Sequence, residues 1–155
     1  MSSSLLQQAI KLLAVRDHSV AELRAKLAKY EDDPEVIEGV LTRCRDMKYL
    51  DDSRFARVFS ESLVRKGKGQ YFIQMELEKR GVDGVIISQT LEHLTDEHVR
   101  AQEAAHKKLT TLTKYPPKEQ QFKLVRFLVG RGFSSSIAYQ IAHSLVHNSR
   151  EEEGL

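Results

Sequence analysis

The chain has 155 residues, 41% hydrophobic and 7% aromatic with no tryptophan, so it can bury a core but not a thick one. Its 24 lysines and arginines stand against 22 acids, a net charge of +2, which excludes a strong whole-molecule field and leaves any preference for polyanions to local charge placement. The single cysteine, Cys44, excludes an intramolecular disulfide and a cysteine metal cluster.

Nothing about Cys44 calls for an oxidising compartment. Residues 1–4 lead into Leu5-Leu6-Gln7-Gln8, which is neither a secretion leader nor a stretch able to span a bilayer. The expectation is a soluble, cytoplasmic chain with no membrane contact.

Apolar residues recur at helical spacing almost throughout, and sustained alternation is absent, so the prediction is all helix. A first helix is expected from a Ser4 cap through Leu5, Ala9, Leu12 and Leu13 to about Arg16. A second opens at Ser19 with Glu22 three residues on, a capping box, and carries Leu23 and Leu27. Asp33-Pro34 starts a third, because proline at the first helical position lacks an amide hydrogen that would be unpaired there; its stripe is Val36, Ile37, Val40, Leu41 and Cys44.

Asp51 and Asp52 with Ser53 open a fourth helix through Phe55, Phe59 and Leu63, which Gly67 ends in a left-handed cap. A fifth runs from about Gly69 to Arg80 and stops at Gly81. A sixth starts at Asp83 and carries Ile86, Ile87, Leu91 and Leu94; a seventh spans about Thr95 to Thr113, before Pro116 and Pro117. An eighth holds Phe122, Val125 and Leu128 and stops at Gly130 to Gly132, and a ninth, capped by Ser134 to Ser136, carries Ile137, Ile141 and Leu145.

Shifting the chain by about 50 residues brings Leu27, Leu77 and Leu128 into register, with Val36, Ile86 and Ile137, and with Cys44, Leu94 and Leu145. The turn Arg80-Gly81-Val82 matches Arg131-Gly132-Phe133, placing a glycine able to adopt positive φ after the second helix of both later repeats. The predicted fold is therefore three tandem three-helix repeats, at 4–50, 51–94 and 95–148, followed by a polar tail at 149–155. Each unit is too small to bury its apolar faces alone, so stacking completes the core. With helices of about 18 to 27 Å, the array is expected to be elongated and curved, of either hand.

Enzyme-like groupings have simpler readings. Asp51 and Asp52 sit where a helix dipole and capping favour carboxylates, without a second acidic cluster for a metal. Asp17-His18-Ser19 holds triad residue types, but adjacent residues at a helix exit cannot face one another as nucleophile, base and orienter. His143 and His147 share the spacing of a zinc pair without an HExxH motif, and His18, His93, His98 and His106 are scattered. Lys66-Gly67-Lys68-Gly69 is a helix linker rather than a nucleotide loop, although its lysines can still touch phosphate. No cofactor or metal is expected, and a small nuclease is disfavoured.

Charge placement remains. Arg43, Arg45, Lys48, Arg54, Arg57, Arg65, Lys66 and Lys68 make the middle of the chain locally basic. A solvated helix surface explains such a run as well as phosphate contact does. Tyr49 and Tyr71 lie nearby as stacking residues or, equally, as packing at repeat junctions.

The segments Leu13-Ala14-Val15-Arg16-Asp17-His18-Ser19, Glu22-Leu23, Lys26-Leu27, Tyr49-Leu50-Asp51-Asp52-Ser53-Arg54-Phe55, Arg65-Lys66-Gly67, Glu76-Leu77 and Lys79-Arg80-Gly81-Val82 together resemble the bacterial RecX regulatory proteins. The resemblance covers about residues 5 to 147 and is strongest in the first two repeats. Met47-Lys48 departs from it, standing where the family commonly has a glycine before the aromatic residue, as does Gln70-Tyr71 after the second glycine.

The resemblance implies a non-enzymatic modulator of the RecA recombinase in recombination, DNA repair and the SOS response. Such a protein lies in the groove of the RecA filament on single-stranded DNA and suppresses ATP hydrolysis and strand exchange. Its expected partners are that filament and single-stranded DNA, with double-stranded DNA a further candidate, and it is expected to act as a monomer. Contact is assigned to Arg54, Arg57, Arg65, Lys66 and Lys68, with Arg24, Lys26, Arg43, Arg45 and Tyr49 behind them. The alternative is a stand-alone DNA-binding protein that competes for single strands. Ser19, Glu22, Asp51, Asp52, Gly67, Gly81, Asp83 and Gly132 are assigned structural capping roles.

Overall fold

The computed structural model describes the backbone of residues 2–153 and the side chains of residues 4–148. Among the described residues there are nine helices and no strand. The first repeat holds α1 (Ser2–Val15), α2 (Val20–Leu27) and α3 (Pro34–Asp46). The second holds α4 (Asp52–Arg65), α5 (Gln70–Lys79) and α6 (Gly84–Glu92), and the third α7 (Glu97–Leu109), α8 (Pro117–Gly130) and α9 (Ser135–Glu153).

The helices begin for identifiable reasons. Ser19 closes a full capping box with Glu22, and Asp33 accepts from the Glu35 amide ahead of Pro34. Asp51 accepts from the Ser53 and Arg54 amides, and Asp83 from the Val85 amide. Asp52 has a different duty from the one expected: its Oδ1 accepts from the Val20 amide at 2.8 Å and so caps α2. Ser4 is no cap, since α1 already runs from Ser2 through it.

Some boundaries also move. α6 ends at Glu92, leaving Leu94 outside it. α7 begins only at Glu97, because Asp96 accepts from the His98 amide. It ends at Leu109, where the Thr110 and Thr111 hydroxyls take the Lys107 and Lys108 carbonyls. On α8 the inward positions are Leu124 and Leu128, while Phe122 is 62% exposed. α9 continues through Glu153, so residues 149–153 of the polar tail are helical and residues 154–155 lie outside the described range.

The chain divides into two compact units, one of residues 1–60 with 76–92 and the other of residues 61–75 with 93–155. In the first, α1, α2 and α3 pack around Leu5, Leu23, Leu27, Val40, Leu41 and Cys44. In the second, α7, α8 and α9 pack around Ala101, Ala105, Leu124, Leu128, Phe133 and Ile141. For Leu27, Leu77 and Leu128 the register read from the sequence holds in three dimensions, since all three are fully buried, whereas in the set Cys44, Leu94 and Leu145 the middle member falls outside its helix.

A repeated clasp holds each unit together. In the first, the Ser19 hydroxyl donates to the Arg80 carbonyl at 2.5 Å, and a Cβ on Gly81 would run into Ala21. In the second, the Gly69 amide donates to the Arg131 carbonyl at 2.7 Å and the Tyr71 amide to the Gly132 carbonyl at 2.9 Å, with Gly132 against Phe72. Gly81 and Gly132 both have positive φ, +74° and +100°. Both turns close alike, the Val82 amide donating to Leu77 and the Phe133 amide to Leu128. In these places the end of one repeat's second helix seats on the start of the preceding repeat's second helix.

Lys48 is the one non-glycine residue with positive φ, +64°, among the described residues. Its amide donates to Arg45 and that of Tyr49 to Cys44, a turn that favours glycine. Lys48→Gly is expected to raise the unfolding free energy by about 0.5 to 1 kcal/mol, because the relief of left-handed strain exceeds the added unfolded-state entropy. Urea unfolding checks this, and a lower midpoint would contradict it.

His18 is 2% exposed. Its Nδ1 lies 3.0 Å from the Arg16 carbonyl, which makes Nδ1 the donor and leaves Nε2 to accept from the Lys26 ammonium at 2.9 Å. Burial, with added repulsion from Arg16 and Lys26, pushes its pKa below the usual histidine value. The folded state therefore holds His18 neutral, and its contribution is complete above about pH 6.5, the unfolded value, and lost as pH falls below it. Wild-type stability should drop more between pH 7.5 and 5.5 than that of His18→Gln. Equal drops in urea unfolding would rule this out.

Candidate functional site

The ten residues assigned to contact fall into two groups, seven in the first unit and three in the second. In the first unit three of the six assigned cations are already engaged. Arg24 pairs with Glu38 at 2.6 Å, and this bond holds the Glu38 carboxyl below the usual range. Lys26 faces His18. Arg54 donates to the Lys48 carbonyl at 2.9 Å and the Tyr49 carbonyl at 3.1 Å, and lies 3.5 Å from Asp17. Arg54 thus fixes the end of α3, a structural duty that sequence reading missed.

Arg43, Arg45 and Arg57 are exposed, as is Tyr49. Arg45 lines a groove of about 600 Å³ with Lys48 and Arg54, but Asp51 and Asp52 line it too, over Val20, Leu50 and Ile86. Its charges nearly balance.

Arg80, unassigned in advance, is the electrostatic hub of this unit. Its guanidinium pairs with Glu76 at 2.6 Å, lies 3.9 Å from Glu22 and stacks over Phe59 at 4.2 Å. Burial alone would raise the Glu22 carboxyl, but the Ser19 amide, Arg16 and Arg80 together hold it below the usual range.

The second unit presents a different surface. Arg65, Lys66 and Lys68, at the end of α4 and in the linker after it, line a groove of about 620 Å³. Arg100, Lys107 and Lys108 of α7 line it as well, together with Arg131 after α8. Glu103 is the single acid on that lining, and Val64, Ala104, Phe127 and Phe133 supply apolar wall. Among the described residues no ion pair involves Arg65, Lys66, Lys68, Lys107 or Lys108. A chain of net charge +2 thus gathers seven basic side chains against one acid in one groove.

The linker is held in place rather than loose. Arg131 Nη1 donates to the Lys66 carbonyl at 3.2 Å and Arg100 Nη1 to the Lys68 carbonyl at 2.9 Å. Arg100 is 7% exposed and also donates to the Thr95 carbonyl. Burial lowers its pKa, opposed by Glu97 and Asp96, yet an arginine stays charged. The linker amides are used as well: Lys66 and Lys68 donate to Leu63, Gly67 to Val64, and Gly69 to Arg131. No backbone cradle for phosphate is left there, so any anion must be met by side chains. Gly67, at φ +78°, makes the turn.

Sequence reading found Arg65, Lys66 and Lys68 but missed their neighbours Arg100, Lys107, Lys108 and Arg131, which lie far along the chain. The equivalence of Arg131 to Arg80 by the repeat was the available signal. Within the described residues there is no group of three or more metal-ligating side chains, and no helix is long and apolar enough to cross a membrane.

Comparison with known proteins bears on what this arrangement serves. Residues 6–44, 51–91 and 95–141 match, in order, the first, second and third three-helix domains of RecX. Regulatory protein RecX of Yersinia enterocolitica is 34% identical over 154 residues, covering 84% of this chain and 91% of that protein. Regulatory protein RecX of Prosthecochloris aestuarii is 37% identical over 144 residues, covering 92% and 94%. The crystal structure of RecX from Lactobacillus salivarius shares the fold at a TM-score of 0.83, with 22% identity over 93% of this chain and 96% of that one.

Proposed function

Because the chain belongs to the RecX family, whose members are regulatory proteins and not enzymes, we propose that it binds the RecA filament on single-stranded DNA. It lies in the filament groove as a monomer and slows ATP hydrolysis and strand exchange, modulating recombination and DNA repair. The observation that carries this reading is the second-unit groove, whose basic lining has one acid to offset it. Fixed cations of this kind meet phosphates without reading sequence. Inhibition needs only occupancy, because a bound protein that resists filament rearrangement need perform no chemistry.

Arg65, Lys66 and Lys68 make the contact, supported by Lys107 and Lys108. Arg43, Arg45 and Arg57 supply a weaker second surface, while Arg24, Lys26 and Arg54 serve mainly the fold. A second reading, competition for bare single strands, draws on the same groove, since free phosphates would suit it equally.

Binding to fluorescent single-stranded DNA, bare or coated with RecA held by a slowly hydrolysed ATP analogue, separates the two at one salt concentration. Filament recognition predicts binding at least about tenfold tighter on the coated strand, or roughly 1.4 kcal/mol. Equal or weaker binding there would favour competition.

A further inference from the structure

The second-unit groove has properties that an extended strand does not require. Its volume of about 620 Å³ is that of a small-molecule site. Its cations come from three separate places, the end of α4 with the linker after it, α7 and the residue after α8, and are gathered around one space rather than strung along a track. Arg100, 7% exposed, also lines it, its Nε and Nη1 given to the Thr95 and Lys68 carbonyls, with no carboxylate within ion-pair distance among the described residues. Phe127 and Phe133 add an apolar wall beside the charge, with Lys108 Nζ 5.3 Å and Arg131 Cζ 5.0 Å from the centre of the Phe127 ring.

A ligand suited to this space is compact and carries several negative charges close together. We infer that the groove binds closely spaced phosphates, as carried by a nucleoside triphosphate or an inorganic oligophosphate, and that such a small molecule competes there with the filament. The competition clause rests on the proposed function; the binding clause does not. The phosphates meet the lining cations, Lys66, Lys68, Lys107 and Lys108 among them, and a nucleoside, where present, meets the apolar part of the same lining. Free oligophosphate would then set how much of the protein is available to the filament.

The test is calorimetric titration of the full chain, at fixed ionic strength, with sodium tripolyphosphate, ATP and adenosine. Tripolyphosphate and ATP should each bind at one per chain and adenosine should not. Similar affinities identify the phosphates alone as the ligand, whereas tighter ATP binding adds the nucleoside. Lys107→Gln with Lys108→Gln should weaken both by at least about tenfold at an unchanged melting midpoint, and Lys66→Gln with Lys68→Gln should do the same through a different segment. Tripolyphosphate binding weaker than about 1 mM, or unchanged in both variants, would overturn the assignment. Oligophosphate binding by a preparation that leaves RecA uninhibited would keep this site and remove the filament reading. Inhibition without oligophosphate uptake would do the reverse.

Discussion

Gly132→Ala is expected to lower the unfolding free energy by about 3 kcal/mol or more, the sum of left-handed strain and overpacking. At φ +100° an L side chain is strained whatever the space available. Here there is also no space, because the new Cβ would stand 2.5 Å from the Phe72 Cβ and 2.6 Å from its backbone nitrogen. Backbone cannot swing aside as a flexible side chain can. The Gly132 carbonyl also accepts from Tyr71, and the neighbouring Arg131 carbonyl from Gly69, so relief of the clash would pull on both bonds.

Gly39→Ala provides the control. Gly39 lies within α3 with nothing near its would-be Cβ, and alanine there should stabilise by up to about 1 kcal/mol. Urea unfolding of both variants reads the result, and a Gly132→Ala change within about 0.5 kcal/mol of wild type would show that the clasp is not tight.

The combined reversal Arg65→Glu, Lys66→Glu and Lys68→Glu is expected to weaken filament inhibition by at least about a hundredfold, since each lost phosphate contact is replaced by repulsion. The steepness of the salt dependence should fall by about two, near 0.7 for each single-strand phosphate contact removed. Reversal of Arg43 and Arg45 should do less, because the groove containing Arg45 is nearly neutralised by Asp51 and Asp52. The variant's helicity and melting should change little, as Arg65 and Lys66 are exposed and unpaired among the described residues and Lys68, which is half-buried, gives up the contact of its Nζ, 4.5 Å from the centre of the Phe72 ring. Undiminished inhibition by a folded triple variant would move the contact elsewhere.

Local physics made much of this fold legible in the sequence. The Ser19–Glu22 box, the Asp33-Pro34 start and the glycines after α5 and α8 each act within a few residues, so their effect is written in adjacent letters. The repeat register was legible because the same buried leucine recurs. Which side of α8 turns inward was not legible from hydrophobicity alone: Phe122 lies in the helix as expected but is exposed, and the inward face is set by Leu124 and Leu128. That Asp52 caps α2 was not legible, because the Val20 amide it accepts from lies in another repeat.

The site was half legible for the same reason. Lys66 and Lys68 are visible as a basic linker, but what fixes that linker is a pair of guanidiniums more than thirty residues away, bonded to main-chain carbonyls that carry no sequence signature. Arg54 shows the converse, a cation that reads as a contact residue and is committed to the backbone of the preceding turn.

Filament recognition is tested by single-stranded-DNA-dependent ATP hydrolysis by the cognate RecA, titrated with this protein at well below one copy per RecA subunit. A free-DNA binding curve at the same salt accompanies it. Filament recognition predicts strong inhibition at concentrations where bare DNA is scarcely bound. Inhibition that appears only as the protein coats the DNA would contradict it.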